Sequence, residues 1–188
     1  MDFNMVFVSG GPCAGKTKLV EELERRGYPV FHEAARKLSE TDEKFKGKSI
    51  NQIDRRLFQD EIFEFQKRLF NGLNSNGNLN GEFVFSDRGF GDTLAYYRLN
   101  GFSIPQGYVD YARTFSRCPV FVLELLSDYK TDELRQESPE ERMGVHKEII
   151  KSYVGLRNPM ITVPEMPIPK RADFILDFLE KISQSKSL

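Results

Sequence analysis

Met5-Val6-Phe7-Val8-Ser9-Gly10-Gly11-Pro12-Cys13-Ala14-Gly15-Lys16-Thr17 carries a short apolar run into a glycine-rich turn. Residues 16–26 then place Leu19, Val20 and Leu23 on one helical face. The order is strand, loop, helix. Residues 10–17 fit the pattern Gly-x-x-x-x-Gly-Lys-Ser/Thr, and strand before with helix after is the setting that pattern needs. Glycines let the backbone curl with φ values closed to other residues, so successive N–H groups and the helix N-terminus face an anion. Lys16 is expected to reach the β- and γ-phosphates of a nucleotide, and the Thr17 hydroxyl is expected on Mg²⁺. The candidate nucleotide-binding residues are therefore Gly10, Gly11, Pro12, Cys13, Ala14, Gly15, Lys16, Thr17 and Lys18. Cys13 lies inside the loop, where a redox-sensitive thiol is one reading, but it reads more simply as a small loop residue.

Outward from the loop, the same rhythm repeats. Gly27 closes the first helix, residues 28–31 read as a second strand, and residues 33–39 are helix-prone. The polar stretch 40–49 reads as a mobile loop. Ile53, Leu57, Ile62, Phe65 and Leu69 give residues 50–73 a helical period, which Asn, Ser and Gly break over 71–81. Residues 82–86 form a third strand candidate, followed by helices over 92–99 and 105–115. The run 119–126 is nearly continuous in apolar residues, as expected of a parallel strand covered on both faces. A charged segment, an amphipathic helix over 139–156, a fifth strand over 160–163 and a closing helix over 170–182 complete the chain. Alternating strands and helices predict an α/β fold: three layers around a five-stranded, mostly parallel sheet, with the ligand crevice at the carboxyl ends of the strands. No repeat or second-domain boundary is visible, so residues 1–188 read as a single domain.

Further candidates fall at those strand ends. Asp87 follows the third strand, where such a fold needs a carboxylate to hold a Mg²⁺-bound water or polarise a nucleophile. Arg88 beside it offers a planar fork for phosphate oxygens. A turn with an Asp cap and a surface ion pair would also account for both, given Gly89 and Gly91. Asp92 reads either as part of this group or as the N-cap of the next helix. Glu33, at the end of the second strand, is a candidate general base, with Arg36 one turn on along the same face. A solvated acidic helix start is the plainer alternative for Glu33. Residues 128–142 have too few apolar residues for core and carry Arg135 and Arg142, as a lid over transferring phosphates would. Lys130 is a weaker candidate there. The proline-rich stretch 164–170 holds the position from which a loop can flank a nucleotide base.

Composition sets the outer bounds. At 188 residues the chain can bury a core without staples, and its 27 Lys and Arg against 28 Asp and Glu advertise no nucleic-acid surface, a balance that is compatible with nucleic acid only as a small or local substrate. Cys13 and Cys118 have neither number nor spacing for a disulfide framework or zinc site, which fits free thiols in a reducing cytosol. No apolar run approaches the roughly 20 residues that cross a bilayer, and residues 1–10 lack the pattern of a signal peptide. A cytoplasmic location is the expectation. Phe occurs 16 times and Trp not at all, a usage that core-facing Phe explains.

With residues 10–17, Glu33-Ala34-Ala35-Arg36, Asp87-Arg88-Gly89 with Asp92, Leu94-Ala95-Tyr96-Tyr97, and Lys170-Arg171 before Phe174 in view, the chain resembles the AAA-type ATPase domain family of P-loop NTPases. That family is shared by the nicotinamide riboside kinase domain of a bacterial NAD regulator and by an insect channel-trafficking protein that binds GTP. The resemblance spans residues 5–179 and implies the fold of nucleoside and nucleotide kinases, without a hexameric ring. The expected activity is Mg²⁺-dependent transfer of the γ-phosphoryl group of ATP to a small nucleoside- or nucleotide-like acceptor. Lys16, Glu33, Asp87, Arg88, Arg135 and Arg142 are the catalytic candidates, and Thr17 and Asp87 the metal ligands. Glu33 and Asp87 both stand as candidates for the base. No Asn-Lys-x-Asp guanine-reading motif occurs, which leans towards ATP over GTP. The alternatives are an NTPase or nucleotide-switched module acting through a partner or lipid, and a polynucleotide-end kinase. A kinase calls for a second pocket walled by Glu33, Arg36, Arg88 and Tyr97. The oligomeric state is left open.

Overall fold

A computed structural model of the chain describes residues 5–49, 51–75, 83–127 and 138–185. Its elements run β1 (Met5–Ser9), α1 (Lys16–Arg25), β2 (Val30–Phe31), α2 (Ala34–Thr41), α3 (Arg55–Ser75), β3 (Val84–Asp87), α4 (Phe90–Leu99), α5 (Gln106–Arg113), β4 (Val120–Leu123), α6 (Pro139–Leu156), β5 (Met160–Val163) and α7 (Ile168–Ser185). The sheet order is β2-β3-β1-β4-β5, and every pairing is parallel. Chain order and sheet order diverge at β1, which lies between β3 and β4. The loops leaving β1 and β3 therefore open side by side at the carboxyl edge.

Side-chain alternation along β1 divides the core into two layers. Met5 and Phe7 face one cluster with Val84, Val120, Phe63, Phe90 and Tyr153; Val6 and Val8 face the other with Leu19, Leu23, Phe121, Ala172 and Ile175. Helices α1 and α7 thus cover one face of the sheet and α3 to α6 the other. The abundant Phe works as expected: Phe7, Phe70, Phe90 and Phe115 meet one another with centroids 5.2–6.3 Å apart. Gly27, with φ 95, closes α1. At α6, the Ser138 hydroxyl accepts from Glu141 N at 3.1 Å, Ser138 N donates to the Glu141 carboxylate at 2.7 Å, and Pro139 takes the first turn, so the boundary read at residue 139 holds.

The stretch 40–49, read as a mobile loop, is tied down instead. Phe45 is buried with Ala34, Leu38, Phe58 and Ile62, its ring 4.8 Å from that of Phe58. One aromatic in a polar run was enough to anchor it to α3. Asp92 is not the N-cap of α4: Gly89 holds that place, and Asp92 sits three residues in, accepting from Gly89 N at 3.1 Å. The glycines around it serve packing. A Cβ on Gly91 would lie 2.5 Å from the Tyr153 ring, so α4 reaches α6 only without a side chain there. Gly91→Ala is expected to lower stability by ~1–3 kcal/mol despite better helix propensity. The readout is a lower urea midpoint with unchanged slope; an unchanged midpoint would mean that α4 can shift freely against Tyr153.

Candidate functional site

Between Ser9 and Lys16 the backbone turns through three positive-φ residues, Gly10 (φ 137), Cys13 (φ 58) and Gly15 (φ 90). A Cβ on Gly10 would lie 2.8 Å from the Leu123 carbonyl oxygen, so β4 leaves room for glycine alone. Lys16 folds back over the loop, its Nζ donating to Gly10 O at 2.9 Å and Gly11 O at 2.7 Å. Burial, reinforced by the Arg88 charge, lowers its pKa to about 8. A cleft of about 420 Å³ opens here, lined by Cys13, Gly15, Lys16, Thr17 and Lys18 and, across from them, by Glu33, Arg36 and Arg88. Helix α6 grips the loop from behind: Arg142 Nε donates to Pro12 O at 3.3 Å, and Gly11 N donates to His146 Nδ1 at 3.1 Å. Burial and the nearby Lys16 charge hold His146 below its ordinary pKa, which keeps it a neutral acceptor.

Thr17, in the first turn of α1, meets Asp87 at the end of β3, its hydroxyl donating to Asp87 Oδ2 at 2.9 Å. Asp87 Oδ1 is buried without a hydrogen-bond partner among the described residues. Burial pushes the Asp87 carboxyl above its usual range. A desolvated carboxylate oxygen beside a hydroxyl fits a hard divalent cation, which favours oxygen ligands. Among the described residues no group of three or more His, Cys, Asp or Glu could hold a metal. Mg²⁺ bound through one carboxylate, a hydroxyl, waters and phosphate oxygens needs no such group.

Arg88 departs from ordinary backbone geometry, with φ 74. Its N donates to Val8 O at 2.9 Å and its carbonyl accepts from Ser86 Oγ at 2.7 Å, so β1 and β3 together impose the turn. Strained non-glycine positions of this kind gather at functional sites. The guanidinium Nε donates to Glu33 Oε1 at 2.7 Å, and Nη1 stands 3.7 Å from Asp92 Oδ1. Asp92 is itself held by both oxygens, accepting from Ser9 Oγ at 2.8 and 2.9 Å and from the Tyr153 hydroxyl at 2.6 Å. Burial works against charge on Glu33, but the Arg88 and Lys16 charges outweigh it and hold the carboxyl below its ordinary value.

Behind this pair lies a second cavity of about 550 Å³, within the size range of small-molecule sites. Glu33, Arg88 and Asp92 form one wall, Phe58, Ile62 and Tyr96 supply apolar surface, and Gln59, Gln66 and Thr93 supply polar groups. The Thr93 hydroxyl donates to Gln66 Oε1 at 3.1 Å, which turns the Gln66 amide N–H₂ free of any partner among the described residues. Glu33 and Arg88 line both cavities and so stand where the two meet.

The structure thus brings together Lys16, Thr17, Glu33, Asp87 and Arg88, with Arg142 behind the loop. It does not place Arg36 and Tyr97 where the sequence reading put them. Arg36 lines the loop cleft and not the second cavity; Tyr97 is buried and donates its hydroxyl to Asp60, while Tyr96 lines the cavity. Lys130, Arg135 and most of the 128–142 segment lie outside the described residues, and 138–142 are the cap and first turn of α6. Gln59, Gln66 and His146 were not singled out as site residues, and Asp92, which the sequence left open between this group and an N-cap, joins the group. For Asp92 the signal was present, two residues beyond Gly89-Phe90 and at helical spacing from Arg88.

The family model for the AAA domain matches residues 5–171. The chain belongs to the AAA domain family. Its fold is the P-loop fold of nucleoside and nucleotide kinases, as solved structures of low identity show. The NadR protein in complex with NR superimposes with a TM-score of 0.68 at 20% identity, over 95% of this chain and 51% of that one, so this chain spans about half of NadR. Shikimate kinase from Aquifex aeolicus gives 0.58 at 18% identity over 95% and 98% of the two chains. Deoxyadenosine kinase from M. mycoides gives 0.59 at 15% over 94% and 99%. A search of curated protein sequences finds no match. No helix among the described residues is long and apolar enough to cross a membrane.

Proposed function

We propose that this member of the AAA domain family transfers the γ-phosphoryl group of ATP to a hydroxyl of a small nucleoside- or nucleotide-like acceptor. The observation that carries the reading is the Glu33–Arg88 pair, shared by the cleft at the phosphate loop and a second cavity of small-molecule size. Solved neighbours of the same fold that are named as kinases support it. A hydrolase or switch has no need of the second cavity.

In this mechanism the loop amides and Lys16 hold the phosphates, Lys16 exchanging the Gly10 and Gly11 carbonyls for phosphate oxygens. Thr17 and Asp87 would hold Mg²⁺, which when bound neutralises phosphate charge. Glu33, kept ionised by Arg88, accepts the proton of the acceptor hydroxyl. The acceptor oxygen bonds to the γ-phosphorus as the bond to the β–γ bridging oxygen breaks, leaving ADP. Arg88, fixed between Glu33 and Asp92, faces the migrating charge, while Arg142 braces the loop from behind through Pro12 O. In this reading residues 1–188 form one domain and the location is cytoplasmic.

The test is purified protein with labelled ATP and Mg²⁺ against a panel of nucleosides, nucleotides and oligonucleotides, with a no-acceptor control. Acceptor-dependent label transfer is expected; ATP hydrolysis indifferent to every acceptor would overturn the kinase reading in favour of an NTPase or switch. Gln66→Leu is expected to raise acceptor KM by about tenfold, the worth of one lost hydrogen bond, with the KM for ATP unchanged. Equal shifts in both constants would remove Gln66 from the acceptor site.

A further inference from the structure

Arg171, near the start of α7, is 0% exposed, and its guanidinium makes no ion pair among the described residues. Each nitrogen that donates goes to a backbone carbonyl of a different segment: Nη1 to Ala14 O at 2.6 Å, Nε to Pro164 O at 3.1 Å and Nη2 to Glu124 O at 3.4 Å. Burial lowers its pKa against the opposing pull of the Glu165 and Glu124 charges, yet an arginine keeps its proton, so a buried positive charge has backbone carbonyls as its hydrogen-bond partners and carboxylates only beyond ion-pair distance. Such a charge is costly, and a purely structural tie between α7 and the sheet could be made by apolar packing at lower cost.

Its position gives the charge a use. The described chain has no cis peptide, and in a trans peptide the carbonyl and the following N–H point in opposite directions. With Ala14 C=O drawn onto Arg171, Gly15 N–H is turned away from α7, on the side where Gly15 lines the phosphate cleft. The guanidinium lies directly behind Gly15, with Nη1 3.4 Å from where a Cβ would stand. Withdrawing density from the Ala14 carbonyl also strengthens the Gly15 N–H as a donor. We infer that Arg171 is a positioning residue for nucleotide binding: it presets the Ala14–Gly15 peptide so that Gly15 N–H faces the phosphates, and it adds a fixed positive charge behind the loop. The inference rests on the proposed reading of residues 10–17 as a phosphate site.

Binding of Mg²⁺-ADP and of inorganic tripolyphosphate is measured by calorimetry for the full chain, Arg171→Met and Arg171→Lys, with unfolding midpoints on the same samples. Arg171→Met is expected to weaken both ligands by about tenfold or more, the scale of a hydrogen-bonded charge, with acceptor KM unchanged. Arg171→Lys keeps the charge and is expected to recover most of that loss even where its unfolding midpoint falls. Arg171→Met binding both ligands like the unaltered chain overturns the inference, as does Arg171→Lys losing as much as Arg171→Met. Should Arg171→Met fail to fold, Arg171→Lys decides: near-native affinity supports the inference and a tenfold loss overturns it. If the unaltered chain binds neither ligand, the phosphate-loop reading fails with it; if it binds both and the variants are indifferent, only the Arg171 assignment fails.

Discussion

Glu33→Gln is expected to lower the rate of phosphoryl transfer by about 10²–10⁴-fold, the usual worth of a positioned general base, while nucleotide binding stays little changed. Glutamine keeps the size of the side chain and an oxygen for Arg88 Nε, so the 2.7 Å contact survives and only the basicity is lost. Glu33 is favoured over Asp87 as base because it lines both cavities, whereas Asp87 lines neither and is engaged with Thr17. The pH behaviour follows from the same electrostatics. With its pKa held below the ordinary 4.5 by Arg88 and Lys16, Glu33 remains ionised as pH falls through the weakly acidic range. Transfer should therefore show no acid limb from this group above about pH 5. Single-turnover rates against pH, for both chains, check the two claims together. Undiminished transfer in Glu33→Gln would move the base to Asp87 or to the substrate itself.

The fold was largely legible because period and punctuation agreed along the chain. Residues 5–17 announced strand, turn and helix, and the amphipathic stretch read from residue 139 matches the start of α6. The sheet order was not legible, since which strands flank β1 depends on how α3 and α6 cross the sheet and not on any local pattern. Boundaries slipped where polar and apolar demands overlap. Residues 28 and 29 were read as strand, yet β2 holds only Val30–Phe31, and α7 begins at Ile168 because a proline is tolerated in a first helical turn. In β4 the apolar run continues past Leu123, but the ladder ends there as Leu125 turns to pack against the loop side.

At the site, residue types were readable and helical phase was not. Tyr96 and Tyr97 are neighbours separated by about 100° around α4, and the close approach of Gly91 to Tyr153 decides which of them meets the cavity. Arg36 follows Glu33 by one turn, yet its long side chain runs to the loop cleft while Glu33 touches both spaces. Gln59 and Gln66 look like the solvated face of a long helix until α4 packs against α3 and Thr93 donates to Gln66. Arg171 in sequence is one more helical surface charge. Only the fold supplies three carbonyls from loops far apart in the chain, and with them the reason for burying it.

Lys16 carries the last large effect. Lys16→Ala is expected to abolish transfer and to weaken ATP by two orders of magnitude or so, since the charge that bridges β- and γ-phosphates is gone. The unaltered chain gives a sharper signature. Below pH 8 the lysine is protonated with or without nucleotide, and affinity should be flat; above it the free chain loses the proton, while phosphate charge in the complex restores it. Nucleotide affinity should then fall by up to about tenfold per pH unit above pH 8, with uptake of one proton on binding. Calorimetry at pH 9 in buffers of different ionisation enthalpy measures that proton directly. The stability of the free chain runs the other way. A lysine whose pKa falls from 10.5 to about 8 on folding binds fewer protons folded than unfolded between those values, so stability rises as pH climbs through that window. Binding that weakens while the fold strengthens separates Lys16 from general alkaline damage, which would weaken both. A binding curve flat to pH 10 would mean that the loop carbonyls of Gly10 and Gly11 keep the lysine charged on their own.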